Sequence, residues 1–591
     1  EYFRADGRAS APFLTRYPVR TRSVSSGFGQ RRHPIGGYLH LHSGVDFRAP
    51  MSAHVYAAGD GVVEEVVRNS GYGRYVRIRH GRGYETAYAH LSGYERTLAV
   101  GKRVKKGDFN DLELPLRQQL LEAQFELADS DHAVIIVVAG LDGAGKGSLV
   151  HRLNEWMDPR GIRTNTYWEH SDEEEERPFF YRFWRRLPAR GEIGIFLGSW
   201  YTQPAQAAVN RAIDSEEFAL ACQQIEGFER MLTDDGTLII KLWLHVSEEV
   251  QRMQLEGKAP DAQQNPRISD RPYELRGKYR ETLDISERLI LATDSSHSPW
   301  HLIEAADRYY RDITAGKIIL KAMQNHTHQP RVTAQAPADD KLEPAGPQPT
   351  VLDSVDLELK LSKADYREQL ARYQSQLQNL AWRAYRQRRS VVAVFEGWDA
   401  AGKGSAIRRV TQAIDPRLYQ LVQFGAPTEE ESALHYLWRF WRQLRRDGRA
   451  TFFDRSWYGR VLVERVEGFA THEEWQRAYS EINQFEKQLV DHGCIVLKFW
   501  IHISAEEQLR RFRAREEQPH KQHKITEDDW RNRDKWHDYE LAVDQMVSRT
   551  STRHAPWTLV SGNDKRYSRV QILKAFCDTM QQELDELTER D

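Results

Sequence analysis

Three segments of this 591-residue chain occur twice at one fixed spacing. VAGLDGAGKGSLV (138–150) returns as FEGWDAAGKGSAI (395–407), FLGSWY (196–201) as FDRSWY (453–458), and HSPWHLIEAADRYY (297–310) as HAPWTLVSGNDKRY (554–567). Lys146 and Lys403, Trp200 and Trp457, and Trp300 and Trp557 are each 257 residues apart. A register held over that span marks a duplicated domain, since chance motif matches would not keep one offset. The stretch between the copies, 326–350, is rich in Pro, Ala and Gln without apolar periodicity. It is expected to be an exposed linker with His326 and His328 solvated.

Each copy must be built from strands and helices in alternation. LPLRQQLLEAQFEL has helical apolar spacing, AVIIVVAG reads as a buried strand, and GLDGAGKGSLVHRLNEW as a glycine loop opening a helix. The fold class expected is therefore α/β: two tandem P-loop kinase-like domains with parallel sheets, at 109–325 and 351–591. Residues 19–108 differ, being rich in Gly, Tyr, Val and Arg, with short alternating stretches such as GRYVRIRH between glycine turns. They are expected to form a small, incomplete antiparallel β module, with residues 1–108 as the first domain. Charge divides at the same place. The chain carries −2 in total, but residues 1–108 carry +9 and the remainder −11, as two pieces of different origin would.

Composition removes several classes. With 29% charged and 40% hydrophobic residues the chain is ordinary globular material. Its mean hydropathy is −0.69, and its apolar runs fall far short of the ~20 residues that span a bilayer. Three scattered cysteines (Cys222, Cys494, Cys577) build neither a disulfide framework nor a thiolate cluster. A reducing, cytoplasmic location is expected, with no nucleic-acid partner and with homo-oligomerisation left open. The chain opens EYFRADGRAS, without initiator Met or signal segment, so the true N-terminus and any export signal are expected to lie outside it.

The loops carry the chemistry. Gly140-x-Asp142-x-x-Gly145-Lys146-Gly147 and Gly397-x-Asp399-x-x-Gly402-Lys403-Gly404 each follow a strand and open a helix, where backbone N–H groups wrap a phosphate. The residue after the lysine is Gly147 or Gly404, not the Ser or Thr that usually holds Mg²⁺. In the second copy Asp399 and Asp454 can supply hard carboxylate oxygens instead, while Lys403 and Arg455 neutralise phosphate charge. The first copy keeps Asp142 and Lys146 but has Leu197 for Asp454, Gly198 for Arg455 and Gln203 for Arg460. It is expected to be a scaffold or substrate-holding partner. Downstream, KITEDDWRNRDKWHDYE (524–540) sets Lys524, Arg531, Arg533 and Lys535 among aromatics. It fits a solvated helix face or a mobile lid closing cations over a polyanion. The first copy keeps Arg276 and Lys278 there and loses both tryptophans.

FEGWDAAGKGSAI, FDRSWYGRVLVERVEGF, APTEEESALHYLWRFWRQL and APWTLVSGNDKRY closely resemble the second family of polyphosphate kinases, and the tandem arrangement over about 111–591 resembles its polyphosphate:AMP phosphotransferase class. The resemblance implies Mg²⁺-dependent transfer, with Mn²⁺ as a substitute, of a terminal phosphoryl group from inorganic polyphosphate to AMP, giving ADP, with the C-terminal copy active. It implies Asp399 and Asp454 for metal and acceptor orientation, Lys403 and Arg455 for phosphate charge, and Arg533 and Lys535 as lid cations. Gly397, Gly402, Gly404, Arg460 and Lys524 complete the expected phosphate site. The degenerate FLGSWY is what the tandem class shows.

SSGFGQRRHPIGGYLHLHSGVDFRAP (25–50) contains His42 and Asp46 with H-x-x-x-D spacing, and YETAYAHLS follows. This stretch resembles the lysostaphin-like zinc endopeptidases that cut peptidoglycan. The resemblance implies His42 and Asp46 as two zinc ligands and His90 as a catalytic histidine. The family's late His-x-His is missing, because the chain passes at Asp108 into FNDLELPLRQQLL. A catalytic zinc needs three protein ligands, so the Zn²⁺ site is expected to be incomplete and peptidoglycan an unlikely partner. A degenerate wall-binding module, or a fragment joined by fusion or assembly error, fits better. The alternatives for the whole chain are an ATP-dependent nucleoside monophosphate kinase, a zinc peptidoglycan hydrolase, and a non-catalytic polyphosphate binder. Asp454 argues against the last, since binding needs cations but not a metal-positioning carboxylate.

Overall fold

The computed structural model describes short strands and a few adjoining residues between 19 and 91, then 102–167, 171–256, 278–327, 349–518, 525 and 527–588. The chain divides into two compact units, Glu1–Ala99 and Val100–Asp591.

In the first unit, strands Gly61–Asn69, Gly73–His80 and Glu85–Leu91 form an antiparallel three-stranded sheet. Two smaller antiparallel pairs join Val24–Ser26 to Asp46–Phe47 and Gly29–Arg32 to Leu39–His42. Among the described residues its core includes Ala58, Ile78 and Tyr88, with Val76 against them.

The second unit holds both repeats. Each has a five-stranded, all-parallel sheet. In the first repeat the order is Trp300–Glu304, Leu238–His245, Val134–Gly140, Ile193–Leu197, Ile162–Thr166, and in the second Trp557–Ser561, Ile495–His502, Val391–Gly397, Ala450–Asp454, Tyr419–Gln423. The strand feeding the glycine loop is central in each. Helices cover both faces, which is why VIIVVAG and VVAVFEG are continuous apolar runs without alternation. Register then sets the site: Asp454 pairs with Phe395, two residues before Gly397, so loop and carboxylate emerge together at the carboxyl edge.

The repeats pack as a dimer would. Trp184 stacks on its own equivalent, Trp441, with centroids 5.8 Å apart and planes 16° from parallel. Arg190 N–H donates to Ala433 O (2.9 Å) and Asp447 N–H to Glu176 O (3.1 Å), a contact and its image under exchange of the repeats. Asp235 of the first repeat pairs with Arg477 of the second at 2.5 Å.

Two local expectations change. Helix Arg308–Thr327 runs into the stretch expected as linker. His326 is docked there and not solvated, its Nε2 3.2 Å from Gly236 O and its ring edge-on to His132. Helix Lys106–Ala128 begins ahead of the boundary expected at 109. Among the described residues, no helix is long and apolar enough to cross a membrane.

Candidate active site

Gly397 ends its strand with φ +148°, and a Cβ there would lie 2.6 Å from Ile501 O, so only glycine lets the chain turn against the neighbouring strand. The loop then opens helix Lys403–Thr411. A Cβ on Gly404 would meet nothing within 4 Å, which leaves room beside the loop for a phosphate group. Lys403 Nζ donates to Gly397 O at 2.5 Å and Trp398 O at 3.4 Å. Arg511, buried beneath, donates from Nη1 to Ala400 O and Ala401 O and from Nη2 to Gly562 O and Asn563 O, fixing the loop's outline.

Asp454 closes its strand and Arg455 follows with φ +66°. Ser456 donates from N (2.9 Å) and Oγ (2.8 Å) to Glu396 Oε1, on the loop strand. Burial raises the Glu396 carboxyl above its usual range, opposed by nearby Lys403 and the Ser456 hydroxyl. Trp457 and Tyr458 lead inward to Glu486, which Lys498 meets at 2.8 Å with both charged groups 0% exposed. Burial lowers the Lys498 ammonium and raises the Tyr458 phenol, whose nearest charge is Glu486. The first repeat duplicates this network with Trp200, Tyr201, Glu229 and Lys241. The network therefore belongs to the fold. The repeats differ at Leu197 and Gly198 against Asp454 and Arg455.

Arg460 does not lie open for a phosphate. Its Nε is 3.1 Å from Glu464, its Nη1 3.7 Å from Glu474, and its guanidinium covers the Tyr436 ring. Of the lid run, Lys524 lies outside the described residues, while helices Glu527–Asp534 and Trp536–Thr550 set one side against the loop and leave Glu527, Asp528, Arg531, Asp534, His537 and Asp538 exposed on the other. Trp536 stacks on Trp398 at 3.7 Å and 7°, and Asn532 Nδ2 donates to Asp399 Oδ2 at 2.9 Å. Arg533 is held by Ala505 O and Gln508 Oε1. Lys535 and Arg531 share Glu467, whose side chain is 5% exposed. In the first repeat Lys146 Nζ likewise donates to Gly140 O (2.8 Å) and Leu141 O (3.0 Å) and also reaches its own loop carboxylate, Asp142, at 3.3 Å, and Lys278 meets neutral Asn210 where Lys535 meets Glu467. Arg276 lies outside the described residues.

The sequence matches Polyphosphate kinase 2 (PPK2) over residues 103–331 and again over 360–588. The chain belongs to the polyphosphate kinase 2 family.

Among PPK2 relatives, the polyphosphate:AMP phosphotransferase of Pseudomonas aeruginosa is 47% identical over 487 residues, covering 82% of this chain and 97% of that protein. The polyphosphate:AMP phosphotransferase of Acinetobacter johnsonii is 36% identical, covering 80% and 96%. A crystal structure of a polyphosphate kinase 2 from Pseudomonas aeruginosa superposes with a TM-score of 0.73 at 45% identity, covering 82% of this chain and 98% of that one. Residues 40–109 match peptidase family M23. His42, Asp46 and His90 fall in described strands, but their side chains lie outside the described ones. Among the described residues, no group of three or more His, Cys, Asp or Glu is placed to hold a metal.

Sequence reasoning missed Glu396, Trp398, Arg511, Asn532 and Glu467 in this PPK2 site. Comparison at the 257-residue offset carried the signal, because these positions read Ala139, Leu141, Gln254, Leu275 and Asn210 in the first repeat.

Proposed function

We infer that this chain is a polyphosphate:AMP phosphotransferase whose chemistry resides in the second repeat. The observation carrying the inference is that two polyphosphate:AMP phosphotransferases align with this chain over 97% and 96% of their own length, while only the second repeat has both Asp399 and Asp454 at its loop edge.

Asp399 and Asp454 fit a divalent metal. Two carboxylates with room for phosphate at Gly404 suit Mg²⁺, which binds through one or two carboxylates plus phosphate oxygens and keeps its water. Mn²⁺ would use the same oxygens. When bound, the metal neutralises charge on the phosphate oxygens as transfer proceeds. The protein's own contribution is positional. The 397–404 backbone and Lys403 hold the donor end, and Arg455 faces its charge. The lid helix, anchored by Trp536 on Trp398, excludes water that would otherwise hydrolyse the donor. Asn532 Nδ2 donates to Asp399 Oδ2 and so orients the carboxylate, whose other oxygen would be left to hold the metal. An AMP phosphate oxygen attacks the terminal phosphorus, the bond to the bridging oxygen breaks, and ADP leaves with a polyphosphate one unit shorter.

Purified protein with Mg²⁺ and AMP, given polyphosphate or ATP as donor, tests the reading when nucleotides are resolved by chromatography. ADP formed with polyphosphate alone is expected. ADP formed with ATP alone would make the protein an ordinary nucleotide kinase.

A further inference from the structure

Among the described residues four non-glycines have positive φ: Arg211, Arg388, Ala400 and Arg455. Arg211 and Arg388 lie just past helices ending at Val209 and Arg386, where a left-handed residue is ordinary. Ala400 belongs to the phosphate loop. Arg455 has neither excuse, and such strain persists only where the surroundings over-determine it.

The first repeat shows the same turn without strain. Gly198 has φ +69°, and a Cβ there would lie 2.4 Å from Tyr167 O. At the same register the bond from Tyr167 N–H to Leu197 O is 3.0 Å, whereas that from Phe424 N–H to Asp454 O is 3.4 Å, so the second repeat is looser where it must admit a side chain. The next residue differs too. Ser199 N–H donates locally to Thr202 Oγ1 at 3.0 Å. Ser456 instead gives both its N–H and its Oγ–H to Glu396 Oε1, on the neighbouring strand. Glu396 and Ser456 are 6% and 5% exposed, so water is a poor substitute for either partner. The first repeat has Ala139 for Glu396 and Gly198 for Arg455: the clamp and the strained arginine are present together or absent together.

We propose that Glu396 is a positioning residue for phosphoryl transfer, clamping Ser456 so that Arg455 keeps its left-handed backbone and presents its guanidinium beside the phosphate loop. Glu396 does not touch substrate; it acts through Arg455. The activity arm of the test rests on the proposed function, and the stability arm does not.

In the activity arm, Glu396→Ala lowers kcat about tenfold or more while KM for AMP stays within threefold, and Glu396→Gln, which keeps an acceptor oxygen, retains at least a third of wild-type kcat. In an Arg455→Ala background, Glu396→Ala costs less than a further threefold, because interaction through one partner makes the losses non-additive. Losses that multiply, a Glu396→Ala kcat within threefold of wild type, or a Glu396→Gln kcat as low as that of Glu396→Ala would each overturn the proposal. The stability arm decides the matter if wild type transfers nothing or Glu396→Ala is too unstable to assay. Glu396→Gln is then the second variant for melting temperature. Arg455→Gly relieves the strain, so a Glu396 substitution lowers melting temperature less with Gly at 455 than with Arg. Equal lowering in both backgrounds would overturn the clamp.

Discussion

The two repeats share a sheet order, a glycine loop and a fully buried Lys–Glu–Tyr network, yet they part at a handful of positions around the carboxyl edge. Leu197, Gly198 and Ala139 in one face Asp454, Arg455 and Glu396 in the other. The difference separates the shared folding network from the positions to which we assign phosphoryl transfer. Trp184 against Trp441 shows what the first copy still contributes without the second carboxylate: half of the interface between the repeats.

The comparison breaks most easily at Asp454. Asp454→Asn should reduce ADP formation from polyphosphate by ~10³-fold, the scale on which phosphoryl transfer depends on its charge-positioning groups, with melting temperature little changed. Stability should respond alike in both copies. Glu229→Ala and Glu486→Ala each strand a buried lysine, and each should cost about 3–5 kcal/mol in chemical denaturation; a large effect in one repeat alone would show that the shared network does unequal duty. Trp536→Ala removes the aromatic stack that seats the lid. It should lower kcat by ~10-fold and raise the ratio of phosphate released to ADP formed as water gains entry, measured by following both products.

Lys146→Ala tests the first loop directly and should leave ADP formation within ~2-fold of wild type, since no second carboxylate stands beside it. If it abolished transfer as fully as Asp454→Asn, the assignment to the second repeat would fall. The smallest effect concerns pH. Burial pushes His502, which accepts from Trp398 Nε1, down to about 4 from an ordinary value near 6.5. The unfolded chain therefore binds a proton that the folded one refuses, and stability falls as pH drops from about 6.5 toward 4. His502→Gln should flatten the melting-temperature slope over that window.

Much of this was legible early. The strands around Val134–Gly140 and Val391–Gly397 follow from apolar runs bounded by glycine, and the loop lysines and Asp454 stand out by motif and offset. The lid run was harder. Its charges suit a solvated face as well as a cover, and the stack of Trp536 on Trp398 and the bond from Asn532 to Asp399 are what bring one side of it onto the loop. Arg460 suited a phosphate by charge, but Glu464 and Glu474 engage it, partners that no spacing argument identifies. Composition leaves His326 solvated because it describes a segment's average, whereas docking depends on Gly236 O, 90 residues away, and on the His132 ring.

By itself the sequence determined the duplication, the α/β class, the phosphate loops and the copy carrying the second carboxylate, because each is written in local spacing and identity at a constant offset. Only the tertiary structure decided which face of each repeat meets the other, that Asn532 reaches Asp399, and that Glu396 clamps the turn at Arg455. Those are contacts between residues 60 to 271 positions apart, and nothing in local propensity encodes such a pairing until the tertiary fold brings the two segments side by side.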